Sequence, residues 1–382
     1  MKRSRNSLLD ALRGGAALAV VSDHLRCFLF LNLPELHHAS LAARGFYYFT
    51  GFGRPAVIIF FVLSGYLVGG SVIKGSTDSF WPRYLLQRLS RLWIVFIPCL
   101  VLTLFWNHIG FHTGGAHYLG GGANPPITTA PTQHVDLSWQ TFLGNALFLQ
   151  TIVVPIFGDN GPLWSLANEF WYYILFPLIF FSLKPGRATS LIARICMLIV
   201  AAAIILEMPR LMRVGFVVWL FGVGLAATEG DTLQKWASKY GSGVVLICAC
   251  AFIFHLSRIK LITGTYKDIW LGLGVAGMFP ILLRLGSSSG VLSTVAYRLS
   301  ECSYTIYLAH FPFLSFIWYT IFHSQRFQPS LLAGWYFVIV FAVLLLYSFG
   351  VFLLFERHTN DVRRFSERLF RISGRRVAVA VK

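Results

Sequence analysis

The most regular feature of the sequence is a series of long apolar runs separated by short polar segments. About 20 mostly apolar residues are enough to cross a bilayer as a helix. Ten runs reach or approach this length, and they predict an all-α polytopic membrane protein with ten transmembrane helices. The predicted helices cover 8–29, 53–72, 88–107, 163–183, 190–206, 214–229, 242–257, 269–285, 303–323 and 332–355.

A further apolar run, 139–158, decides the orientation, because an eleventh helix would invert every later one. Cytoplasmic segments of membrane proteins are enriched in Lys and Arg. With ten helices, 22 of the 32 Lys and Arg residues lie on the side of the two termini, and after residue 163 the ratio is 15 to 6. We therefore predict that both termini are cytoplasmic and that 139–158 packs against, or dips into, the outer face.

The composition agrees with this class of protein. Hydrophobic residues make up 56% of the chain and charged residues only 12%, against about 25% charged in soluble domains. A secreted enzyme, a disordered chain and a disulfide scaffold are excluded. The net charge of +17 follows the membrane topology, so we expect no nucleic-acid partner. The six cysteines form no CxxC pair, so we expect no metal.

The same pattern gives the domain organisation. We predict one membrane domain over 1–355, in which 107–162 is an extracytoplasmic loop without Lys or Arg, and a basic cytoplasmic tail over 356–382 that contacts anionic membrane lipids. The amino-terminal run resembles a signal peptide, but Arg13, Asp23 and His24 interrupt it, so we expect it to be retained.

Ionisable residues inside the first predicted helix indicate function, because each costs roughly 2.5–3.5 kcal/mol near the bilayer centre. Arg13 and His24 are 11 residues apart, so they share one helix face and lie about 16 Å apart along the axis. Individually, Arg13 would be a snorkelling anchor and His24 a hydrogen-bonded interfacial residue. Their shared face favours a functional pair, either in an enzyme or in a proton-relay transporter.

Arg83, Arg88 and Arg91 form a second group at the cytoplasmic start of the third predicted helix. Arg88 and Arg91 are neighbours on the helix surface. Guanidinium groups in such pairs suit phosphate recognition, which points to a phosphorylated cytoplasmic ligand. Ordinary positive-inside anchoring explains the same spacing.

Two further groups lie at the outer ends of later helices. Glu169 falls at the predicted level of His24, where a carboxylate could orient the imidazole and raise its basicity; capping of the helix amino terminus is the alternative. Ser303, Tyr307 and His310 follow i, i+4, i+7 spacing and form one polar stripe. Such a stripe either joins helices by hydrogen bonds or lines a cavity.

Taken in order, these segments resemble the membrane acyltransferase-3 family. The resemblance spans most of the chain and rests on five motifs. They are Leu9-Asp10-Ala11-Leu12-Arg13 followed by His24, Phe60-Phe61-Val62-Leu63-Ser64-Gly65-Tyr66, Arg88-Leu89-Ser90-Arg91, Trp164-Ser165-Leu166-Ala167-Asn168-Glu169-Phe170, and Ser303-Tyr304 through Tyr307-Leu308 to His310.

The resemblance implies a stand-alone O-acyltransferase of the cytoplasmic membrane, without the soluble esterase-like domain that many relatives carry. It implies an acyl-CoA donor, acetyl-CoA by default, on the cytoplasmic side and a glycan or lipid-linked sugar acceptor on the outer side. His24, supported by Glu169, is then the expected catalytic base, and Arg13, Arg83, Arg88 and Arg91 are expected to bind the donor. The residues expected to bind the acceptor are Trp164, Ser303, Tyr304, Tyr307 and His310.

A transporter or lipid flippase that uses the same buried groups as a proton relay or phosphate clamp is the alternative reading. For the transferase, the sequence is compatible with direct attack of the acceptor on the thioester and with an acyl group carried first by His24. The acceptor, the acyl chain, the oligomeric state and the need for a partner protein stay open.

Overall fold

The computed structural model describes residues 6–36, 38–75, 80–113, 135–184, 190–228, 251, 255, 266–285 and 290–370. Over these residues the protein is helical, with isolated β-bridges only. The helices are α1 (Ser7–Leu29), α2 (Leu41–Thr50), α3 (Gly53–Ser64), α4 (Gly70–Lys74), α5 (Phe80–Thr113), α6 (Trp139–Ala146), α7 (Leu163–Leu183), α8 (Leu191–Glu207), α9 (Arg210–Ala227), α10 (Lys267–Leu285), α11 (Val291–Thr320), α12 (Leu331–Leu354) and α13 (Thr359–Leu369).

The predicted all-α membrane class is confirmed. Nine of the ten predicted spans coincide with helices in the described part of the chain, and 242–257 lies outside it apart from residues 251 and 255. By length and composition alone, five described segments are able to cross a bilayer: Leu41–Lys74, Phe80–Thr113, Leu163–Leu183, Arg210–Ala227 and Leu331–Leu369. The total of ten helices and the orientation of the termini stay predictions.

The ambiguous run 139–158 contains the eight-residue helix α6 followed by turns. About 12 Å of helix is too short to cross the hydrocarbon core. The Asn145 side chain holds the segment folded on itself, because its amide donates to the Pro155 carbonyl (2.9 Å) and its oxygen accepts from the Phe157 N–H (3.1 Å). Trp93 and Trp171 attach the segment to α5 and α7 by donating to the Ala146 and Phe148 carbonyls.

Small residues set the closest helix contacts. α1 packs mainly against α11 and α3, and a Cβ at Gly14 would lie 2.7 Å from Leu299 Cβ. Between α3 and α4 the chain forms one π-helical turn, Gly65–Gly69, a wide turn often found at functional sites. A Cβ at Gly65 would lie 1.9 Å from the Trp219 carbonyl oxygen, so only glycine permits this approach of the turn to α9.

Two prolines inside helices free a carbonyl, and in each case a side chain from another segment donates to it. Proline has no N–H for the carbonyl four residues earlier. Pro177 in α7 frees the Tyr173 carbonyl, to which Tyr84 OH donates from α5 (2.9 Å). Pro312 in α11 frees the Leu308 carbonyl, to which Asn160 Nδ2 donates (3.1 Å). These bonds fix α5 against α7 and the segment before α7 against α11.

Other helices leave large aliphatic side chains outside the protein core. α8 exposes residues such as Ile192 and Leu206, and α12 exposes Leu331, Leu346 and others. A soluble monomer rarely shows apolar patches of this extent. Lipid tails form no hydrogen bonds, so a protein surface that faces them is apolar. The exposed aliphatic side chains therefore give this protein the outer surface of a multi-pass membrane protein.

Candidate active site

A cavity of about 890 Å³, including the open space at its mouth, lies between α1, α3, α5, α7 and α11. The π-helical turn contributes Leu67 and Val68, and the other apolar lining residues come from α3, α5 and α7. The polar residues of the lining are Arg13, Ser64, Arg88, Arg91, Ser165, Glu169, Tyr173, Ser303, Tyr304 and Tyr307.

Three of the four arginines that were expected to bind the donor line this cavity. Arg13 comes from α1, and Arg88 and Arg91 from α5, whereas Arg83, nearer the start of α5, lies outside the lining. Arg88 is buried, its guanidinium lies over the Tyr84 and Tyr173 rings at 5.6 and 5.9 Å, and its Nε has no hydrogen-bond partner. Within the described residues, none of the three cavity arginines forms an ion pair shorter than 4.0 Å.

Glu169 is the acidic residue of the lining, and its partner is Tyr173, whose hydroxyl donates to the carboxylate. Since a phenol has one proton, Ser64 donates to the Tyr173 oxygen at 3.1 Å, and Trp219 Nε1 donates in turn to Ser64 at 3.1 Å. This chain crosses from α9 through α3 to α7. It fixes the carboxylate in the wall of the cavity.

A second carboxylate lies behind the arginines. Glu356 follows α12 in a short 3-10 turn, and it is 8% exposed. Its Oε2 accepts from the Thr305 N–H (3.1 Å) and the Thr305 hydroxyl (2.6 Å). Its charge acts on both Arg13 and Arg91. Glu356 therefore offsets part of the positive charge of the cavity without forming a direct ion pair.

The predicted stripe on α11 does line the cavity at two of its positions. Ser303 and Tyr307 are lining residues, together with Tyr304. Tyr307 OH donates to the Pro162 carbonyl (3.2 Å) and lies 2.6 Å from Ser165 Oγ, both in the segment at the start of α7. These groups form a polar constriction between α7 and α11.

The third residue of the stripe, His310, contacts His24. Nδ1 of His24 lies 2.9 Å from Nε2 of His310, and Nδ1 of His310 lies 2.8 Å from the Ile306 carbonyl oxygen. His310 is one helical turn beyond Tyr307, about 4.5 Å along α11. Arg13 and His24 thus face the same helix, α11, as their 11-residue spacing predicts.

The structure gives His24 and Glu169 different partners. The described contacts join His24 to His310 and Glu169 to Tyr173. Trp164, one of the residues expected to bind the acceptor, lies beside the cavity rather than in its lining. It packs edge-on against Phe61, a lining residue, and beneath the guanidinium of Arg54, 4.8 Å from the ring centre.

Several site residues were missed in the sequence. Tyr173 lies one turn after Glu169, a spacing that is visible in the sequence but common among helical residues. Glu356 is the first residue of a segment that composition assigns to a basic tail. Arg54, at the start of α3, was not singled out in the sequence, yet it pairs with Asp268 through two hydrogen bonds, including Nε to Oδ1 at 3.1 Å. The pairings of Glu356 with Thr305 and of Arg54 with Asp268 join distant parts of the chain.

The fold and the site together define a multi-pass helical membrane protein with an arginine-lined cavity and a buried histidine pair beside it. Comparison with known proteins refines this class. The family model of the acyltransferase-3 family, described as an acyltransferase domain, matches residues 6–355. The chain belongs to this family, as its five motifs indicated.

Two curated relatives carry related names. An O-acetyl transferase of Shigella phage Sf6 is 26% identical over 271 residues, which are 63% of this chain and 76% of the relative. Acyltransferase MdmB of Streptomyces mycarofaciens is 26% identical over 339 residues, 79% of this chain and 77% of the relative. No solved structure matches the chain. The protein is therefore a membrane acyltransferase by family.

Proposed function

We propose that the protein is an O-acyltransferase of the cytoplasmic membrane, which moves an acyl group, in the simplest case acetyl, from acyl-CoA to a hydroxyl of an extracytoplasmic or lipid-linked glycan. One observation carries the donor half of this proposal. Arg13, Arg88 and Arg91 line one cavity without direct ion-pair partners among the described residues. Glu356 and Glu169 offset part of this charge from a distance, and the remaining guanidinium donors are suited to an anionic ligand.

The residues present fit the phosphates of coenzyme A. The Nε of Arg88 is a buried donor with no acceptor, and guanidinium groups bind phosphate oxygens through parallel hydrogen bonds. Arg13 lies about 16 Å along α1 from His24, a separation of the order of an extended pantetheine arm. A donor with its phosphates at the arginines would then bring its thioester towards the histidine pair, and the apolar wall formed by residues such as Val57 and Leu92 would exclude water.

The acyl donor supplies the thioester carbonyl, and this chain supplies the base. In the proposed reaction, His24 takes the proton from the acceptor hydroxyl while the hydroxyl oxygen forms a bond to the acyl carbon. The carbon–sulfur bond then breaks, and His24 returns the proton to the departing thiolate. The products are an ester and coenzyme A, so no oxidant, reductant or metal enters the balance.

The acceptor is proposed from the names of the relatives and from the predicted topology. The phage relative is named an O-acetyl transferase, which favours a hydroxyl acceptor and an acetyl group. Tyr307, Ser165 and the Pro162 carbonyl form hydrogen-bonding groups at the side of the cavity where His310 lies. Sugar hydroxyls both donate and accept, so these groups suit a carbohydrate.

The test is transfer of radiolabelled acetyl from acetyl-CoA to a cell-envelope glycan extract by membranes that contain the protein. We expect transfer with the wild type, and loss of about 100-fold or more with His24→Ala, since a general base contributes about 10²–10⁴-fold. The control is His112→Ala, because His112 is an exposed residue at the end of α5. It should leave transfer unchanged.

Two results would contradict the proposal. Full transfer by a folded His24→Ala protein would remove His24 as the base. No transfer from any acyl-CoA to a broad panel of sugar and lipid-linked acceptors, with binding of acyl-CoA also absent in the purified protein, would instead favour a transporter or flippase. Release of free coenzyme A thiol, followed in the same samples, detects thioester cleavage whatever the acceptor.

A further inference from the structure

We propose that His310 is a positioning residue that fixes the ring of His24 in the tautomer able to act as a base at Nε2. This inference rests on the proposed function, in which His24 is the base. It assigns to His310, expected from the sequence to bind the acceptor, a different role: it acts through His24. The argument follows from the hydrogen bonds of the two rings.

The first step fixes the proton of His310. Its Nδ1 lies 2.8 Å from the Ile306 carbonyl oxygen, and a carbonyl oxygen accepts only, so Nδ1 carries the proton. Surrounded by apolar groups, and in contact with no carboxylate in the part of the chain that the structure describes, the ring is neutral. Its Nε2 therefore bears a lone pair.

The second step fixes the proton of His24. Nε2 of His310 faces Nδ1 of His24 at 2.9 Å. The ring centres are 5.2 Å apart at an interplanar angle of 17°, which fits rings lying edge to edge and nearly coplanar, so that an N–H points along the opposite lone pair. Because His310 accepts, His24 donates from Nδ1. The remaining nitrogen of His24, Nε2, then carries the lone pair that a base needs.

Exposure distinguishes the roles of the two rings. His24 retains 9% of its surface, whereas His310 has 0%. His24 Nε2 makes no hydrogen bond with the described residues, while both nitrogens of His310 are occupied. A fully enclosed ring cannot meet a substrate, so His310 is a support and His24 is the ring that reacts. Proton uptake at Nε2 would make the Nδ1–H bond to His310 charge-assisted and stronger.

The surroundings hold both rings in place. Phe311 packs edge-on against His24 with ring centres 5.2 Å apart, and Phe28 packs in the same way on Phe311. Arg26 is the charged residue whose field acts on His24, and its guanidinium is paired with Asp23 at 2.7 Å. The bond from Asn160 to the Leu308 carbonyl fixes α11 next to His310.

The first test is kinetic and compares two substitutions of His310 in the full-length protein. In His310→Gln, the amide oxygen is able to accept from His24 Nδ1, whereas His310→Leu removes the acceptor. We expect kcat to fall about 100-fold in His310→Leu and about tenfold or less in His310→Gln, within the range of general-base effects. The KM for acetyl-CoA should stay within about twofold, since donor binding lies at the arginines.

The second test reads the tautomer directly and needs no activity. Nitrogen-15 spectra of the wild-type protein in lipid, labelled at histidine and compared with His24→Ala to assign the signals, should show a protonated Nδ1 and an unprotonated Nε2 for His24. A protonated Nε2 would overturn the proposal, as would equal loss of kcat in His310→Gln and His310→Leu when both are folded. Absence of all transfer by the wild type would instead contradict the proposed function, and the spectra would still report on the pair.

Discussion

Arg88 and Arg54 show two different uses of a partly or fully buried arginine. Arg54, in α3, forms two hydrogen bonds with Asp268 at the start of α10 and stacks on Trp164. Arg88, in α5, contacts two tyrosine rings and leaves its Nε without a partner beside the cavity. The first arginine joins helices. The second keeps its donors available.

The fold depends on the charge of Arg54 but not on the charge of Arg88. Removing one partner of a buried ion pair leaves the other charge uncompensated and destabilises the protein, whereas replacing an unpaired buried charge by an apolar group is often neutral or stabilising. Stability and activity should therefore respond in opposite ways at the two arginines. Under the proposed function, the charge of Arg88 serves donor binding and not the stability of the fold.

The largest effect is expected for Arg88→Met, which removes the charge but keeps a long apolar side chain. Hydrogen bonds to charged groups contribute about 1.5–3 kcal/mol, so acetyl transfer at low acetyl-CoA should fall about 10- to 150-fold. The unfolding temperature of the purified protein should stay the same or rise. Initial rates and thermal unfolding in the same detergent measure both quantities.

Arg298→Met is the control for this substitution, because Arg298 is an exposed arginine of α11 that does not line the cavity. It should change the rate by less than about twofold, as expected for surface sites. A strong loss of stability in Arg88→Met, with transfer intact, would show that Arg88 is structural like Arg54.

The comparison extends to the opposite charge at a buried carboxylate that forms no ion pair with the residues the structure describes. Asp159, before α7, accepts from Asn107 at 2.7 Å, and burial raises its pKa from 3.8 to about 6. The folded protein thus binds this proton more tightly than the unfolded chain, so protonation of Asp159 raises the free energy of unfolding. This contribution is lost as the pH rises from about 4 to about 6. Asp159→Asn should remove this dependence and stabilise the protein by about 1–3 kcal/mol at pH 7.5.

Asp136, in the same segment, is the matched control. Its carboxylate accepts from the Thr141 hydroxyl (2.6 Å) and the Ser138 N–H (2.8 Å), and these bonds lower its pKa. Its stability contribution is therefore present at neutral pH and lost at acid pH, so Asp136→Asn should destabilise slightly at pH 7.5. The unfolding temperatures of both variants between pH 4 and 8 test these opposite expectations. If both substitutions changed the unfolding temperature in the same direction, the explanation would be contradicted.

The sequence predicted the transmembrane helices better than it predicted their extensions. Hydropathy placed a helix at 303–323, but α11 begins at Val291, and Leu299 in the added part lies against Gly14 of α1. Similarly, α5 begins at Phe80, eight residues before the predicted span. The added parts carry charged residues such as Arg83, Arg298 and Glu301, which end the apolar run before the helix itself ends.

In the candidate site, local helical spacing was predictable from the sequence, whereas contacts between distant helices were not. Helical spacing correctly placed Arg13 and His24 on one face, since a helix turns by a fixed angle per residue. The contact between His24 and His310, 286 residues apart, depends on how α1 packs against α11, which local spacing does not determine. Glu356 was missed for the same reason: only the tertiary fold brings it to Thr305.

Arg54→Met tests the structural side of the comparison. It leaves the Asp268 carboxylate, which is 10% exposed in the pair, without its partner, while Arg54 itself is 34% exposed. Partial exposure reduces the penalty, so we expect a loss of about 1 kcal/mol in thermal unfolding. Transfer per folded molecule should change far less than in Arg88→Met. The double variant Arg54→Met/Asp268→Leu should recover part of the stability, and strictly additive losses would show that the pair does not couple.

The smallest effect is expected for Glu356→Gln. This substitution removes the negative charge of the Glu356 side chain but keeps its hydrogen bonds behind the cavity. Glutamine keeps an oxygen that accepts from Thr305, but it removes the negative charge that acts on Arg13 and Arg91. The cavity becomes more positive, so the KM for acetyl-CoA should fall about two- to fivefold, with kcat nearly unchanged. Asp361→Asn, at an exposed carboxylate of α13, should leave the KM unchanged. A higher KM in Glu356→Gln would mean that this carboxylate positions the arginines rather than offsetting their charge.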